Sequence, residues 1–295
     1  MLVYKDGKII YEKNLGLYNK TTIEPIASCS KWLTAALVMT FVDEGRLSLN
    51  DTIGKFLPIY SKYHKGYIKL WNCLSHTTGI ESEKFSFASV VKRRELNSLA
   101  DEVDEFAAKN QVAKPGEQFF YSNTGLNIAG RILEVVSGKN FETLFQQRIA
   151  VPLGMKNTSF KSPLPANPSG GAKSSAEDYL NFLVMILNKG EFNGKRILTP
   201  HTISLMQKNY TQKAQTLYSP EQAIGLHYGL GEWIFETDQL NNTTMVASPG
   251  LFGTFPVVNI KNNYAAILLV KNLKSSTRRE TDTQIIAAID EALGH

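Results

Sequence analysis

The chain has 295 residues, 43% of them hydrophobic and 20% charged, with 21 glycines and 11 prolines. That composition is globular and excludes a disordered, collagen-like or coiled-coil chain. The 32 basic and 27 acidic residues leave a net charge of +5, yet apart from Lys92-Arg93-Arg94 and Arg278-Arg279 the cations stand singly among acids, so a nucleic-acid partner is not expected.

A chain of this length buries roughly three quarters of its unfolded surface and needs no covalent staple. Cys29 and Cys73 are too few for a disulfide framework and have no CxxC spacing for zinc. The longest apolar runs, 32–42 and 264–270, fall far short of the ~20 residues of a membrane span, so no transmembrane segment is expected. The start, Met1-Leu2-Val3-Tyr4-Lys5-Asp6-Gly7, lacks the basic, apolar, small-residue order of a secretion signal.

In chain order, residues 1–17 read as a hairpin, because Asp6-Gly7 separates two runs that contain Val3, Tyr4, Ile9, Ile10 and Tyr11. Residues 28–44 follow as a helix whose apolar set (Trp32, Leu33, Ala36, Leu37, Met39, Phe41, Val42) covers nearly every face, which predicts deep burial. Gly45 ends it as a left-handed cap. From 51 to 165 the pattern is helical, clearest at 99–109 and 126–137, with no strand alternation. Two more helices, 176–187 and 200–207, follow the turn Asn167-Pro168-Ser169-Gly170-Gly171. Strands are predicted at 227–236, 243–247, 254–260 and 264–270, with a tight turn at Asn262-Asn263. A last amphipathic helix covers 282–293. Strands at both ends with helices between imply an α+β fold, an antiparallel β-sheet flanked by helices with an inserted all-helical domain. The sheet domain is expected at 1–50 and 166–295 and the insertion at 51–165, between the second and third strands.

The chain holds no GxSxG elbow, HExxH, P-loop or complete GxGxxG; Gly229-Leu230-Gly231 is half of one. It does hold Ser28-Cys29-Ser30-Lys31. Residues three apart on a helix share a face, so Lys31 Nζ can reach Ser28 Oγ. A lysine held against apolar surface is partly deprotonated and can activate a serine. A second SxxK, Ser89-Val90-Val91-Lys92, beside Arg93, Arg94 and Glu95, reads as a solvated face, and Ser28 by itself also reads as a helix cap. Tyr121-Ser122-Asn123 sits on a loop before a helix, where a pocket can form. There a phenol beside an ammonium has its anion favoured and an amide can both donate and accept. Tyr179-Leu180-Asn181 repeats the spacing inside a helix and reads as packing. His76 reads as a structural hydrogen bonder and Cys29 as a small buried side chain.

These motifs occur together and in order. Ser28-x-x-Lys31 opens an apolar helix running into Val42-Asp43-Glu44-Gly45-Arg46-Leu47-Ser48-Leu49-Asn50-Asp51. Leu74-Ser75-His76-Thr77-Thr78-Gly79, Pro115-Gly116-Glu117, Tyr121-Ser122-Asn123-Thr124-Gly125 and Gly170-Gly171-Ala172-Lys173-Ser174-Ser175-Ala176-Glu177-Asp178 follow. Over nearly its whole length the chain thus resembles the β-lactamase-related serine hydrolases: class C β-lactamases, D-alanyl-D-alanine carboxypeptidases, D-aminopeptidases and family VIII esterases.

The resemblance implies acyl transfer in a cleft between sheet and insertion, without metal or cofactor. Ser28 would attack a carbonyl, Lys31 and Tyr121 would share the proton work, and Asn123 would orient a small-molecule or peptide substrate. The backbone N–H groups of Ser28 and Leu251 would form the oxyanion hole. Where the family has K/H-x-G, this chain has Ser248-Pro249-Gly250, with Ser248 and Gly250 the expected substrate contacts. Loss of that cation disfavours penicillins and D-alanyl peptides and leaves esters and neutral amides. Tyr121, Trp233, Phe252 and Phe255 are candidate cleft walls. The alternative reading is a non-catalytic homologue that binds or senses a ligand. A monomer is expected, and the resemblance implies a periplasmic or secreted location.

Overall fold

The computed structural model describes residues 1–84, 93–272 and 278–295. Its frame is a seven-stranded antiparallel sheet in the order Lys8–Glu12, Leu2–Lys5, Tyr264–Leu268, Phe255–Asn259, Thr243–Ala247, Trp233–Thr237 and His227–Tyr228. The expected hairpin forms at the start of the chain, with Asp6 at φ 50° and Gly7 at φ 84°, both in the left-handed region that a two-residue connection needs. The two ends of the chain meet where Leu2 pairs with Ile267 and Lys5 with Tyr264.

Strand side chains alternate between faces, and the burial follows that period. Leu2, Val258, Ala265 and Ile267 join the main core, where the helix Ala176–Leu187 packs on the central strands. Val3, Val257, Tyr264 and Ala266 point to the other face and are covered by Ile286 and Ile289 of the C-terminal helix Arg278–Ala292.

The helix Ser30–Asp43 buries every residue from Ser30 to Phe41. A helix apolar all round belongs inside, and this one runs against Thr124–Ser137 on one side and Pro200–Met206 on another. Gly45 follows at φ 68° and turns the chain out. The main core is continuous from the sheet through this helix to Phe141, Phe145 and Phe160.

Two expectations are corrected. Residues 51–165 have helices as their main elements but contain a strand, Gln118–Phe120, which pairs in parallel with Gln215–Tyr218. Three residues are too few to show alternation, and the partner lies nearly a hundred residues on. The run 227–236 is two strands, His227–Tyr228 and Trp233–Thr237. Between them Gly231 adopts φ 82°, and a Cβ there would lie 2.5 Å from Ala35 Cβ and 2.7 Å from the Lys31 carbonyl oxygen. Only glycine lets the sheet come this close to the central helix. Among the described residues no helix is long and apolar enough to cross a membrane.

Candidate active site

The site is assembled where the segment entering the central helix meets the sheet and the helical layer. Ala27, at φ 45°, turns the chain into the short helical turn Ala27–Cys29. A non-glycine residue in that region is strained by about 1 kcal/mol or more. The turn is held from three sides. The Ile26 N–H donates to the Ala172 carbonyl at 3.0 Å, Ala172 N–H donates to Ser30 Oγ at 3.0 Å, and the Tyr179 hydroxyl donates to the Cys29 carbonyl at 2.8 Å. Tyr179 is fully buried, as a packing residue should be.

Lys31, one helical step past Ser28, places Nζ 3.2 Å from Ser28 Oγ. It also reaches the Ser169 carbonyl at 2.8 Å and Asn123 Oδ1 at 3.4 Å, and it lies 4.8 Å from the Tyr121 ring centroid. The side chain is 1% exposed. Burial disfavours its charged form and lowers its pKa from 10.5 to about 7. With the Ser169 carbonyl and Asn123 Oδ1 each taking one N–H, the third position on Nζ faces Ser28. In the neutral amine that position is a lone pair able to accept the serine proton.

Tyr121 leaves the strand Gln118–Phe120 and is tied to the neighbouring strand by its N–H donating to the Tyr218 carbonyl at 3.0 Å. Its ring packs on Trp233 at 5.1 Å, His76 at 4.6 Å and Tyr228 at 6.0 Å between centroids. The hydroxyl lies against the Ser28 and Trp233 side chains. The expectation that the lysine would favour a phenolate is corrected: desolvation dominates and pushes the Tyr121 pKa up, so the group is a neutral phenol. Asn123 stands immediately before the helix Thr124–Ser137, its side chain turned to Lys31 and not used as a cap. His76 is buried, with Nδ1 accepting the Ser122 N–H at 3.4 Å, and burial lowers its pKa so that it stays neutral. It shapes the Tyr121 loop. The Cys29 thiol is likewise buried, with its pKa pushed up.

Ser28, Lys31, Tyr121 and Asn123 all open into one cleft of about 570 Å³, whose far wall includes Trp233, Pro249, Leu251 and Phe252. No backbone hydrogen bond among the described residues takes up the N–H of Ser28 or of Leu251, whereas those of Cys29 and Gly250 are used internally. Ser248 and Gly250 are not brought to the cleft. Ser248 is 1% exposed, its hydroxyl set on the Ser28 and Gly231 carbonyls at 3.5 and 3.4 Å. Gly250 packs on the Ile26 carbonyl, 2.5 Å from where a Cβ would stand. Phe255, 1% exposed, belongs to the sheet core and not to the wall. The second SxxK lies outside the described residues.

Two features of the site were not read from sequence. One is the Ser169 carbonyl; the turn around it was legible, but a backbone acceptor leaves no mark in residue identity. The other is Arg278, at the start of the C-terminal helix. It lines the cleft and donates to the carbonyls of Gly250 at 3.4 Å and Asn272 at 2.7 Å. It brings a cation beside the segment whose motif lacks one. Asp282, one turn on, has its pKa raised by burial to about 7. Among the described residues no cluster of His, Cys, Asp and Glu could hold a metal ion.

The family model described as Beta-lactamase matches residues 1–291. The chain belongs to this family. Protein flp of Staphylococcus aureus is 27% identical over 93% of this chain and 59% of its own length. The chain therefore spans about three fifths of that relative. The solved structure of a candidate beta-lactamase from Bacteroides dorei superposes with a TM-score of 0.88 at 29% identity, covering 100% of this chain and 92% of that one. The octameric penicillin-binding protein homologue from Pyrococcus abyssi superposes at 0.78 with 24% identity, covering 99% of this chain and 72% of that one. The α+β expectation, an antiparallel sheet with flanking helices, is thus the fold of a Beta-lactamase family protein, and the family's members are generally hydrolases.

Proposed function

We propose that this chain is a serine acyl hydrolase that cleaves an ester or amide through an acyl intermediate on Ser28. The observation that carries the proposal is the buried Lys31 amine, 3.2 Å from Ser28 Oγ, with a pKa brought down to about 7. At neutral pH about half of the molecules hold the amine neutral, against roughly one in a few thousand for an exposed lysine.

In the reaction Lys31 Nζ takes the Ser28 proton as Oγ forms a bond to the substrate carbonyl carbon. The carbonyl electron pair moves onto its oxygen, which receives the N–H groups of Ser28 and Leu251. As the tetrahedral intermediate collapses, the leaving oxygen or nitrogen takes a proton. Tyr121, a neutral phenol touching Ser28, hands that proton on and is reprotonated from the Lys31 ammonium. Water then attacks the acyl-serine by the same steps in reverse. Asn123, fixed at a helix start, offers its amide N–H groups to the acyl side while its oxygen holds Lys31.

The aromatic and aliphatic wall suits an apolar acyl group. Arg278 restores a cation to the region of Gly250, so a carboxylate beside the scissile bond has a partner. β-Lactams and D-amino-acid peptides therefore stand beside simple esters as substrates to be tried. The test is a p-nitrophenyl acetate burst with intact-mass measurement. The wild-type chain should show one acetyl group on Ser28 and Ser28→Ala none. An equal burst from Ser28→Ala, or no covalent species with any ester, β-lactam or peptide, would overturn the assignment.

A further inference from the structure

We propose that Glu102 is a positioning residue for the Lys31 base, acting through the Asn127 side chain and the Ser169 backbone. This rests on the reading of Lys31 as the base.

The shortest hydrogen bond of Lys31 Nζ is the one to the Ser169 carbonyl. Residues 167–171 form a tight turn in which the Gly170 and Gly171 N–H groups both donate to the Asn167 carbonyl. The peptide that enters Ser169 is clamped at both ends. Thr34 Oγ1 donates to the Pro168 carbonyl at 2.6 Å, and the Ser169 N–H donates to Asn127 Oδ1 at 2.9 Å. With that plane fixed, the next carbonyl points at Lys31.

Asn127 can serve only with its oxygen towards Ser169, and an amide flipped by half a turn would present N–H₂ to an N–H. What chooses the orientation is Glu102, whose Oε2 accepts from Asn127 Nδ2 at 2.9 Å. A carboxylate only accepts, so the donor end of the amide must face it. The other carboxylate oxygen pairs with Arg93. Arg93 in turn donates to the carbonyls of Pro165 at 3.2 Å and Ala166 at 3.0 Å, on the segment that leads into the same turn. Asn127 and Ser169 are fully buried, so water does not replace the link between them, while Glu102, 6% exposed, stands at the edge of the cleft.

A buried ion pair is a poor device for stability alone, since an apolar pair of similar volume would hold two helices together as well. What this pair adds is direction. Its chain of donors and acceptors runs from the helix Leu99–Ala108 through Thr124–Ser137 to the base and ends there. With the Ser169 carbonyl in place, two N–H groups of Lys31 are spoken for and the lone pair is aimed at Ser28. Without it the ammonium loses an acceptor, which favours the neutral form, and the lone pair is no longer directed. The other groups facing Lys31 are Ser28 and Cys29 on its own turn, and Tyr121, Asn123 and His76 across it. Burial holds Cys29, Tyr121 and His76 neutral around pH 7, so they do not mask a change at Lys31.

The test follows the burst rate with p-nitrophenyl acetate from pH 5 to 9 in wild type, Asn127→Leu, Glu102→Ala and Glu102→Gln, with competent sites counted by exhaustive fluorophosphonate labelling. Beside it, ε-¹⁵N-lysine NMR reads the Lys31 midpoint directly, assigned by the signal that Lys31→Met removes. Asn127→Leu and Glu102→Ala should lower both the acid limb and the NMR midpoint by about half a pH unit or more, and reduce the plateau rate per competent site about tenfold. Glu102→Gln keeps an acceptor for Asn127 Nδ2 and should recover most of the midpoint. If Asn127→Leu and Glu102→Ala lose competent sites while the midpoint stays, the role is structural and the proposal fails. A wild-type chain with no burst but a midpoint that moves in these variants refutes the hydrolase reading and leaves the positioning chain standing.

Discussion

Replacing Lys31 by Met should remove acylation and at the same time stabilise the fold, by an amount that depends on pH in a defined way. In the unfolded chain the amine titrates near 10.5, and in the folded protein burial brings it to about 7. Below the folded value both states are protonated and the residue contributes no slope. Between about 7 and 10.5 the unfolded chain holds a proton that the native state has released, so wild-type stability rises with pH by about 1.4 kcal/mol per unit. Stability from this group is therefore present above 10.5 and lost as pH falls through the folded value, a total of roughly 5 kcal/mol. Methionine has no such dependence. The advantage of Lys31→Met over wild type should be greatest below pH 7 and shrink by about 2 kcal/mol between pH 7 and 9. Part of the advantage is offset because the Ser169 carbonyl is left without its donor, at about 1–3 kcal/mol, but that offset is the same at every pH. Urea unfolding of both chains at half-unit steps from pH 6 to 9 measures the difference directly. Curves that stay parallel within about 1 kcal/mol across that range would show that the amine is not neutral in the folded protein, and the basis for Lys31 as a base would go with it.

Tyr121→Phe keeps the ring packing on Trp233 and His76 and removes the proton donor. It should slow acylation about a hundredfold or more for esters with an alkyl leaving group, and much less for p-nitrophenyl esters, whose leaving group needs no proton; equal losses for both would exclude a donor role. Glu232 is completely buried against Trp32, and desolvation holds its carboxyl pKa well above the ordinary value. A raised carboxyl pKa contributes stability below the unfolded value that is lost as pH rises, so Glu232→Gln should gain on wild type in urea midpoint from pH 5 to 8; a constant difference refutes this. Gly231→Ala puts a methyl group 2.5 Å from Ala35 Cβ at a φ of 82°. It should cost about 3 kcal/mol or more in unfolding free energy, and an unchanged urea midpoint would mean that the sheet and central helix are not in this contact. Arg278→Gln should raise KM about tenfold for a substrate with a carboxylate beside the scissile bond and leave a neutral ester unaffected. Equal effects on both would remove Arg278 from substrate binding.

What was legible in the sequence was what is local. Ser28 and Lys31 lie within one turn, and Tyr121 and Asn123 share one loop, so spacing alone put the members of each pair within reach of one another, and the family resemblance put the two pairs in one cleft. The long periodic elements, such as Ala176–Leu187 and Thr243–Ala247, follow the same rule. What was not legible depends on partners distant in the chain. The protonation of Tyr121 is set by burial among His76, Tyr228 and Trp233, which come from two segments distant from it and from each other, and proximity to a lysine suggested the opposite. Ser248 stands where a cation was expected, and the cation stands on a helix thirty residues later, where nothing in Arg278-Arg279 distinguishes a cleft residue from a surface pair. Arg93 reads as part of a solvated face and Glu102 carries no signal of its own in the sequence, until the fold closes them over Asn127.

Several unfavourable features of this molecule lie around Ser28. Ala27 carries a left-handed backbone, Lys31 is a buried amine, Glu232 is a buried acid beneath the same helix, and Arg93 and Glu102 form a largely buried ion pair at the edge of the cleft. Each of these lowers stability where a glycine, a methionine, a glutamine or an apolar pair would not. In the main elements of the frame the local choices agree with the fold. The hairpin has its Asp-Gly, the central helix its capping glycine, and the strands their alternation between two covered faces. A protein that kept the cleft only to bind a ligand would need the shape and the wall, but not a lysine held near neutrality and aimed at a serine by a fixed carbonyl. Proton transfer at Ser28, as proposed, would account for that cost, and acylation of Ser28 that follows the titration of Lys31, rather than affinity for any ligand, separates the two readings.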